Sequence, residues 1–348
     1  MFSDSKTNIQ RWLIISYLPI LLVLSGCTVK PQATGNDNEL GILIDADLRV
    51  KLESALLTAF CPILETPQPE RRFIPIFAGY EGLDRLQTQK YLLLVGILNG
   101  RGEVSRLITK MLSPEVRQGV ENGEYFIFTK RNEWAREQKM MILVAPSESA
   151  LAERLASESE LFFEAFNKER SEYVKKKLYR SYEQKDLSRE IRERYGFDLR
   201  IPHDYVLVRE EPEEGWLRLK RSAPDRLITL WRSEVLQENP LDSAWVFDTW
   251  SNLALQFADP VQANRDYLSV RESVVAGYPG LEMRGLWETK GSLGGGPFLC
   301  RAFFYPAEKR VYLLEGEVYN PGDVKEPYVK QLEVILETFK PANSSQIY

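Results

Sequence analysis

The chain has one histidine, His203, and three cysteines among its 348 residues, and this scarcity closes off much catalytic chemistry. A histidine-based nucleophile relay has a single side chain to pass through, and zinc sites normally draw several histidine or cysteine ligands. The setting Ile201-Pro202-His203-Asp204-Tyr205 reads as a polar turn entering a strand. Complete glycine-rich cradles are lacking too. Asn99-Gly100-Arg101-Gly102-Glu103-Val104-Ser105 follows an apolar run, but Ser105 holds the third glycine position and no acidic residue clearly ends the next strand, so a dinucleotide site is not predicted. Gly291-Ser292-Leu293-Gly294-Gly295-Gly296-Pro297 lacks the serine between glycines of a nucleophile elbow and reads as a flexible bend between strands. No metal or cofactor is predicted. Cationic surplus is missing as well: the formal charge is −5, a sign that repels phosphate backbones, so no nucleic-acid partner is expected.

What the sequence does have begins at its N-terminus. Lys6 and Arg11 precede the apolar stretch Trp12 to Leu24, and Leu24-Ser25-Gly26-Cys27 closes it. The stretch is too short to span a bilayer comfortably, since a spanning helix needs about 20 apolar residues. A basic head, an apolar core and small residues before a cysteine form the layout of a secretory signal with a lipoprotein processing site. Residues 1–26 are thus expected to be cleaved, leaving Cys27 as a lipid-bearing N-terminus. Each buried methylene of its acyl chains adds about 0.8 kcal/mol to anchoring. The polar stretch Thr28 to Asn38 reads as a flexible tether. Thr28 is not the aspartate that retains lipoproteins at the inner membrane of enteric bacteria, and no acidic cluster follows Cys27. The expected location is the outer membrane, facing the periplasm. Removal of Asp4, Lys6 and Arg11 with the signal leaves the body near −6.

Hydrophobic residues at 44% and charged residues at 27% describe a folded body rather than a disordered one. The expected organisation is a signal peptide over 1–26, a tether over 27–39, an N-terminal α/β-type half over 40–146, a long helical connector over 147–196, a C-terminal strand-rich half over 197–341 and a tail over 342–348. In the first half, Gly41 to Ile44 and the almost wholly apolar Tyr91 to Leu98 read as strands, with a helix over Asp45 to Phe60 that Asp45 or Asp47 caps. A further helix over Glu103 to Val120 precedes strands at Tyr125 to Thr129 and Met140 to Ala145. From Ser147 to Arg194, apolar residues recur at helical steps, giving either one long helix or two that break near Gln184 to Ser188. The second half shows short runs at Tyr205 to Arg209, Trp216 to Arg221 and Arg226 to Ser233, then a helix over Ser243 to Phe257. Strands follow near Glu282 to Thr289, Phe298 to Tyr305 and Arg310 to Tyr319, and a final helix from Val324 to Phe339 covers the sheet with Tyr328, Leu332 and Ile335. The predicted class is α+β, with mixed and antiparallel sheets, covering helices and a long central helical segment.

Carboxylates are the remaining catalytic option. The period of two along a strand puts Glu315 and Glu317 on one face, and Glu282, Arg284 and Glu288 on one face of theirs. Two close acids serve as general acid and base if burial drives their pKa values apart; charged residues on an open sheet face are more often solvated or paired. Cys61 and Cys300 sit in apolar runs and read as buried thiols, with a disulfide between them left open in an exported chain. Trp287, Phe298 and the glycines Gly295 and Gly296 either rim a pocket with Arg284 and Glu315 as polar handles, or fill core and allow a tight turn.

The final third resembles a family of uncharacterised lipoproteins typical of Bacteroidetes-type bacteria, known only as a domain of unknown function. The residues carrying the resemblance are Arg284-Gly285-Leu286-Trp287, Gly295-Gly296-Pro297-Phe298, Glu315-Gly316, Val318, Pro321, Lys325, Tyr328, Gln331-Leu332-Glu333 and Ile335-Leu336, joined by Pro67-Gln68-Pro69-Glu70 and Ile201-Pro202. The resemblance implies an exported lipoprotein and supplies no activity. The expectation is a non-catalytic envelope protein that binds or scaffolds, held at a membrane by its lipid anchor and engaging an envelope protein; the competing reading is an envelope hydrolase using Glu315 or another acid.

Overall fold

The computed structural model describes residues 30–235, 240–257, 259–290 and 294–342; Cys27 and the signal segment lie outside them. The first half runs β1 (Glu39–Ile44), α1 (Ala46–Phe60), the short pair β2 (Ile63–Leu64) and β3 (Glu70–Arg71), β4 (Ile74–Ala78), α2 (Leu83–Leu86), β5 (Tyr91–Ile97), α3 (Glu103–Met111), α4 (Pro114–Glu121), β6 (Ile127–Arg131) and β7 (Lys139–Ala145). The sheet order is β4-β1-β5-β7-β6, parallel except for β6. Its strands are apolar on both faces because both are covered. Ile42, Leu93, Val95, Met141 and Leu143 meet Leu52, Leu56 and Phe60 of α1 on one side, while Leu92, Leu94, Ile142 and Val144 meet Val104 and Ile108 of α3 on the other.

The central segment is three helices, α5 (Glu148–Ser157), α6 (Ser159–Leu178) and α7 (Lys185–Tyr195). Ser147 caps α5 through the amide of Ala150 at 3.2 Å, and Gly196, at φ 73°, ends α7 in the left-handed region open to glycine. The helix expected over Glu103 to Val120 is also divided. Pro114 begins a new helix at its first turn, where its missing N–H costs nothing, and Ser113 caps it.

The second half contains the short strands β8 (Phe197–Asp198) and, at the chain's far end, β16 (Lys340–Pro341), which pair with each other. Between them lie β9 (Val206–Glu211), β10 (Trp216–Arg221), β11 (Asp225–Glu234), α8 (Ser243–Ala254), β12 (Val261–Val275), β13 (Tyr278–Thr289), β14 (Gly295–Tyr305), β15 (Arg310–Tyr319) and α9 (Glu326–Leu336). An antiparallel sheet of order β12-β13-β14-β15-β11-β10-β9 results. On one face α8 seats Val246, Trp250 and Leu253 over Met283, Phe298, Cys300 and Leu313. On the other, α7 and α9 bring Ile191, Tyr195, Val329, Leu332 and Ile335 onto Leu299, Phe303, Leu314 and Val318. The class is α+β. Among the described residues no helix is long and apolar enough to cross a membrane.

Two expectations are corrected and one left open is decided. The tether is not free from Lys30 onward: Arg136 N donates to Pro31 O (2.8 Å), Ala33 N to Arg136 O (2.9 Å), Thr34 N to Thr88 O (2.8 Å) and Lys90 N to Thr34 O (2.9 Å). Polar composition suggested a leash, but backbone groups of any composition can pair with a neighbouring loop. The bend expected over Gly291 to Pro297 is shorter than that run: antiparallel β13 and β14 are joined through Gly294, whose carbonyl accepts from Thr289 N (2.9 Å), but Gly295 and Gly296 already lie within β14, and residues 291–293 lie outside the described set. A Cβ on Gly296 would sit 2.0 Å from the carbonyl oxygen of Val318, so this glycine permits a close backbone approach. Finally, Cys61 and Cys300 are free and buried in different cores; burial pushes the Cys61 thiol up to about 12 and the Cys300 thiol well above its usual value, with Glu315 and Glu282 adding to the latter.

Replacing Gly296 with alanine forces Val318 or β14 itself to shift, and is expected to lower unfolding free energy by about 1–3 kcal/mol, the usual cost of overpacking. Urea unfolding of G296A with an unchanged slope and a lower midpoint checks this; an unchanged midpoint refutes it.

Candidate functional site

A cleft of about 640 Å³ opens where the two halves meet, between α6 and the β2–β3 segment on one side and β12, β13 and α9 on the other. Its floor is a network of buried charges. Glu282 of β13 accepts from Arg284 Nε (2.8 Å), Arg301 Nε (2.8 Å) and Arg271 Nη2 (2.9 Å). Glu333 of α9 accepts from Arg72 Nη2 at 2.7 Å, with Arg284 Nη1 at 2.8 Å and Lys330 Nζ at 3.3 Å as ion pairs. Arg284 thereby bridges the two carboxylates. Deeper in, Arg170 of α6 grips Glu326 with both guanidinium nitrogens (2.7 and 2.8 Å), stands 3.4 Å from Asp37 and donates to the Arg72 carbonyl (2.8 Å). Lys330 Nζ crosses to Asn167 Oδ1 (2.6 Å) and Ser171 Oγ (2.8 Å) of α6. Glu70 accepts from the amides of Lys325 and Glu326, each at 2.9 Å, and so caps α9 from the other half.

Electrostatics follow from this crowding. Burial pushes the Glu282 carboxyl up, but Arg284 and Arg301 more than offset it and hold it well below the usual carboxylate range. Burial likewise raises Glu333, and Arg72, Arg284, Lys330 and Arg301 overcome it and hold it far down. Both acids are therefore anions already committed to cations. The rim differs: Glu65, Glu160, Glu164 and Glu272 are exposed, against the half-free guanidinium of Arg271.

Glu315 stands on the opposite face of the second sheet, sealed beneath α8. Its Oε1 accepts from Trp250 Nε1, and Trp250 stacks on Phe298 at 4.6 Å. The neighbouring Glu317 takes Arg218 at 2.6 Å, and Arg218 in turn lies over the Phe257 ring at 3.5 Å. Burial first, and Glu317 second, push the Glu315 carboxyl up to about 8, with Arg218 and the bonds to Trp250 and Thr229 pulling the other way. A solvated face was expected here; α8 instead covers it.

The six candidate surface residues thus divide. Arg284 and Phe298 line the cleft; Trp287 is buried in the α8 core, Gly295 and Gly296 lie in β14, and Glu315 is fully enclosed. The parity of β13 already separates Arg284 from Trp287. Arg72, Arg170, Arg301, Glu326 and Glu333 were missed as site residues. Their one sequence signal is Glu326, Lys330 and Glu333 at helical spacing, a stripe that ordinarily faces water. Cys27 lies outside the described residues, and among those described no group of three or more His, Cys, Asp or Glu is set to hold a metal.

Residues 183–338 match the family "Domain of unknown function (DUF4837)". The domain begins in the turn before α7 and closes just after α9, so it takes in the antiparallel sheet and both layers covering it, while the parallel-sheet half lies outside. No curated protein matches the chain. LpqN of Mycobacterium tuberculosis, described as involved in cell envelope biogenesis, is 17% identical over 41% of this chain and 81% of its own, with a TM-score of 0.27. The Saccharomyces cerevisiae Ran-binding protein Mog1p is 13% identical over 42% and 90%, with a TM-score of 0.31. A Bacteroides thetaiotaomicron structure is 10% identical over 44% and 47%, with a TM-score of 0.25. Such likenesses say nothing of ligand or partner.

Two pH effects of opposite sign follow. The depressed Glu282 and Glu333 contribute stability that is complete above the unfolded carboxylate value near 4.5 and is lost as pH falls below it. Glu333→Gln removes the anion shared by Arg72, Arg284 and Lys330 and is expected to cost about 3–5 kcal/mol at pH 7, while flattening the acid limb; urea unfolding at pH 7 and pH 4 reads both. The raised Glu315 behaves oppositely, because the folded state keeps a proton that the unfolded chain gives up: its contribution is intact below about 4.5 and declines toward pH 8 by about 1.4 kcal/mol per unit. Glu315→Gln is expected to match the parent at pH 4 and to exceed it by several kcal/mol at pH 9. Parallel stability curves across that interval would rule out a protonated Glu315.

Proposed function

We propose that the protein is a cell-envelope lipoprotein, anchored through Cys27 at the periplasmic face of the outer membrane, whose body binds a partner in the cleft and does not catalyse. The observation carrying the second part is the state of the acids: Glu282 and Glu333 are held as anions by guanidiniums, so neither is poised to exchange a proton near neutral pH. What the cleft offers a visitor is shape and surface charge, four exposed carboxylates against Arg271. That pattern suits a protein segment bearing basic side chains. The anchor reading rests on the basic head, apolar stretch and Ser25-Gly26-Cys27.

One observation favours an envelope hydrolase instead: the Glu315 carboxyl, raised to about 8, has the pKa of a general acid. Its enclosure under Trp250 argues against substrate reaching it. Purification of the acylated chain from its own envelope, beside the charge-reversed E160K/E164K variant, separates the readings. A partner recovered with the parent and reduced at least tenfold with the equally stable variant is the expected outcome. Turnover of a wall or lipid fragment by the purified body, abolished in E315Q, would replace binding with hydrolysis.

A further inference from the structure

We infer that the body lies directly against the phospholipid surface, with Lys30 and the turn between β6 and β7 as its contact face; the inference rests on the anchor reading above. The first described residue is already fastened. Lys30 Nζ donates to Asn132 O at 2.6 Å, and the backbone bonds of Pro31 and Ala33 bracket Arg136. Only Thr28 and Val29 separate Lys30 from Cys27. Chain geometry allows about 3.3–3.6 Å per extended residue, so Lys30 stays within about 10 Å of a lipidated Cys27.

That length leaves no room for the body to float free of its bilayer, and the pinned segment selects which side turns down. Strands β1, β5 and β7 all start at this end of the parallel sheet, whereas the loop Asn99 to Gly102 lies at the opposite end. Strand β7 alone, seven residues long, separates the two ends by about 20 Å at roughly 3.3 Å per residue. The chemistry of the near end suits a lipid headgroup layer. Lys30, Lys130, Arg131 and Arg136 stand against Glu133, Glu137 and Glu169, the last pairing with Arg131 at 2.6 Å; a cationic surplus of one remains on a chain of net negative charge, and Lys30, Arg131 and Arg136 are exposed. Basic side chains beside an anchor favour the anionic headgroups around it.

The test uses the acylated full chain in vesicles of phosphatidylethanolamine and phosphatidylglycerol that carry a quencher on the lipid headgroup. With Cys61 and Cys300 buried and Cys27 acylated, a fluorophore is placed on R136C or, as the far control, on R101C. Quenching at position 136 is expected to exceed that at position 101 at least threefold, and ten Gly/Ser residues inserted between Val29 and Lys30 should abolish the difference. Equal quenching of the two labels, with acylation verified by intact mass, overturns the contact face and leaves the anchor standing. A native chain whose mass retains residues 1–26 and a bare thiol overturns the anchor reading itself.

Discussion

The seam between the halves depends on α9 presenting charge to protein instead of to water. Its apolar side, with Val329, Leu332 and Ile335, lies on the antiparallel sheet, while Glu326, Lys330 and Glu333 are buried against α6 and the strand segment around Arg72. Each of those charges is costly to desolvate and is tolerable only with its partner in place. The network therefore works as a registration device: sliding α6 along α9 would part Arg170 from Glu326 and Lys330 from Ser171 together. A greasy seam of equal area would accept several registers, whereas this one accepts few. Because the cleft is what remains open beside that seam, its shape is fixed by the same ion pairs.

Much of the fold is legible in the sequence because most strands are covered, and covered strands write long apolar runs, as Tyr91 to Leu98 does. The antiparallel half was readable for a related reason, since β13, β14 and β15 alternate between two buried faces. What could not be read follows from the same physics. Strand β12 is a polar edge, Gln262 to Ser273, whose pairing with β13 breaks register between Asn264 and Ser269, and β4 begins with an exposed Ile74 on the opposite sheet's edge. Edge strands need charge to discourage further pairing, so they lack the periodic signal. The cleft was least legible of all. A helix with one apolar stripe and one charged stripe reads as half-solvated, and nothing local to α9 reveals that Arg72 and Arg170, more than 150 residues away in sequence, will cover the charged side.

Asp45 shows how a local signal can be correct in kind and wrong in address. It occupies the N-cap position of α1, yet its carboxylate accepts from Val104 N (2.9 Å), Ser105 N (3.0 Å) and Ser105 Oγ (2.7 Å) at the start of α3. Strands β1 and β5 lie side by side and send their helices to opposite faces, the place where open α/β sheets commonly receive anionic ligands. Here the protein's own carboxylate takes that position. Gly102 makes room for it, since a Cβ there would stand 2.0 Å from Asp45 Cγ. The glycines of Asn99 to Gly102 thus have a structural cause independent of any phosphate.

Glu282 and Glu315 carry opposite protonation states in the same sheet. Both are buried carboxylates on neighbouring parts of one antiparallel sheet, and burial alone drives both upward. What separates them is the number of cations in direct contact. Glu282 has three guanidiniums around it, whereas the one near Glu315, Arg218, is already bonded to Glu317. Strand parity decides this, because it sends one acid toward the arginine-rich seam and the other beneath the aromatic cover of α8. An acid in the first setting cannot yield a proton reservoir, and one in the second has a proton but no visitor to give it to. At the rim, by contrast, Glu160 and Arg271 keep much of their charge in water while pairing at 3.5 Å.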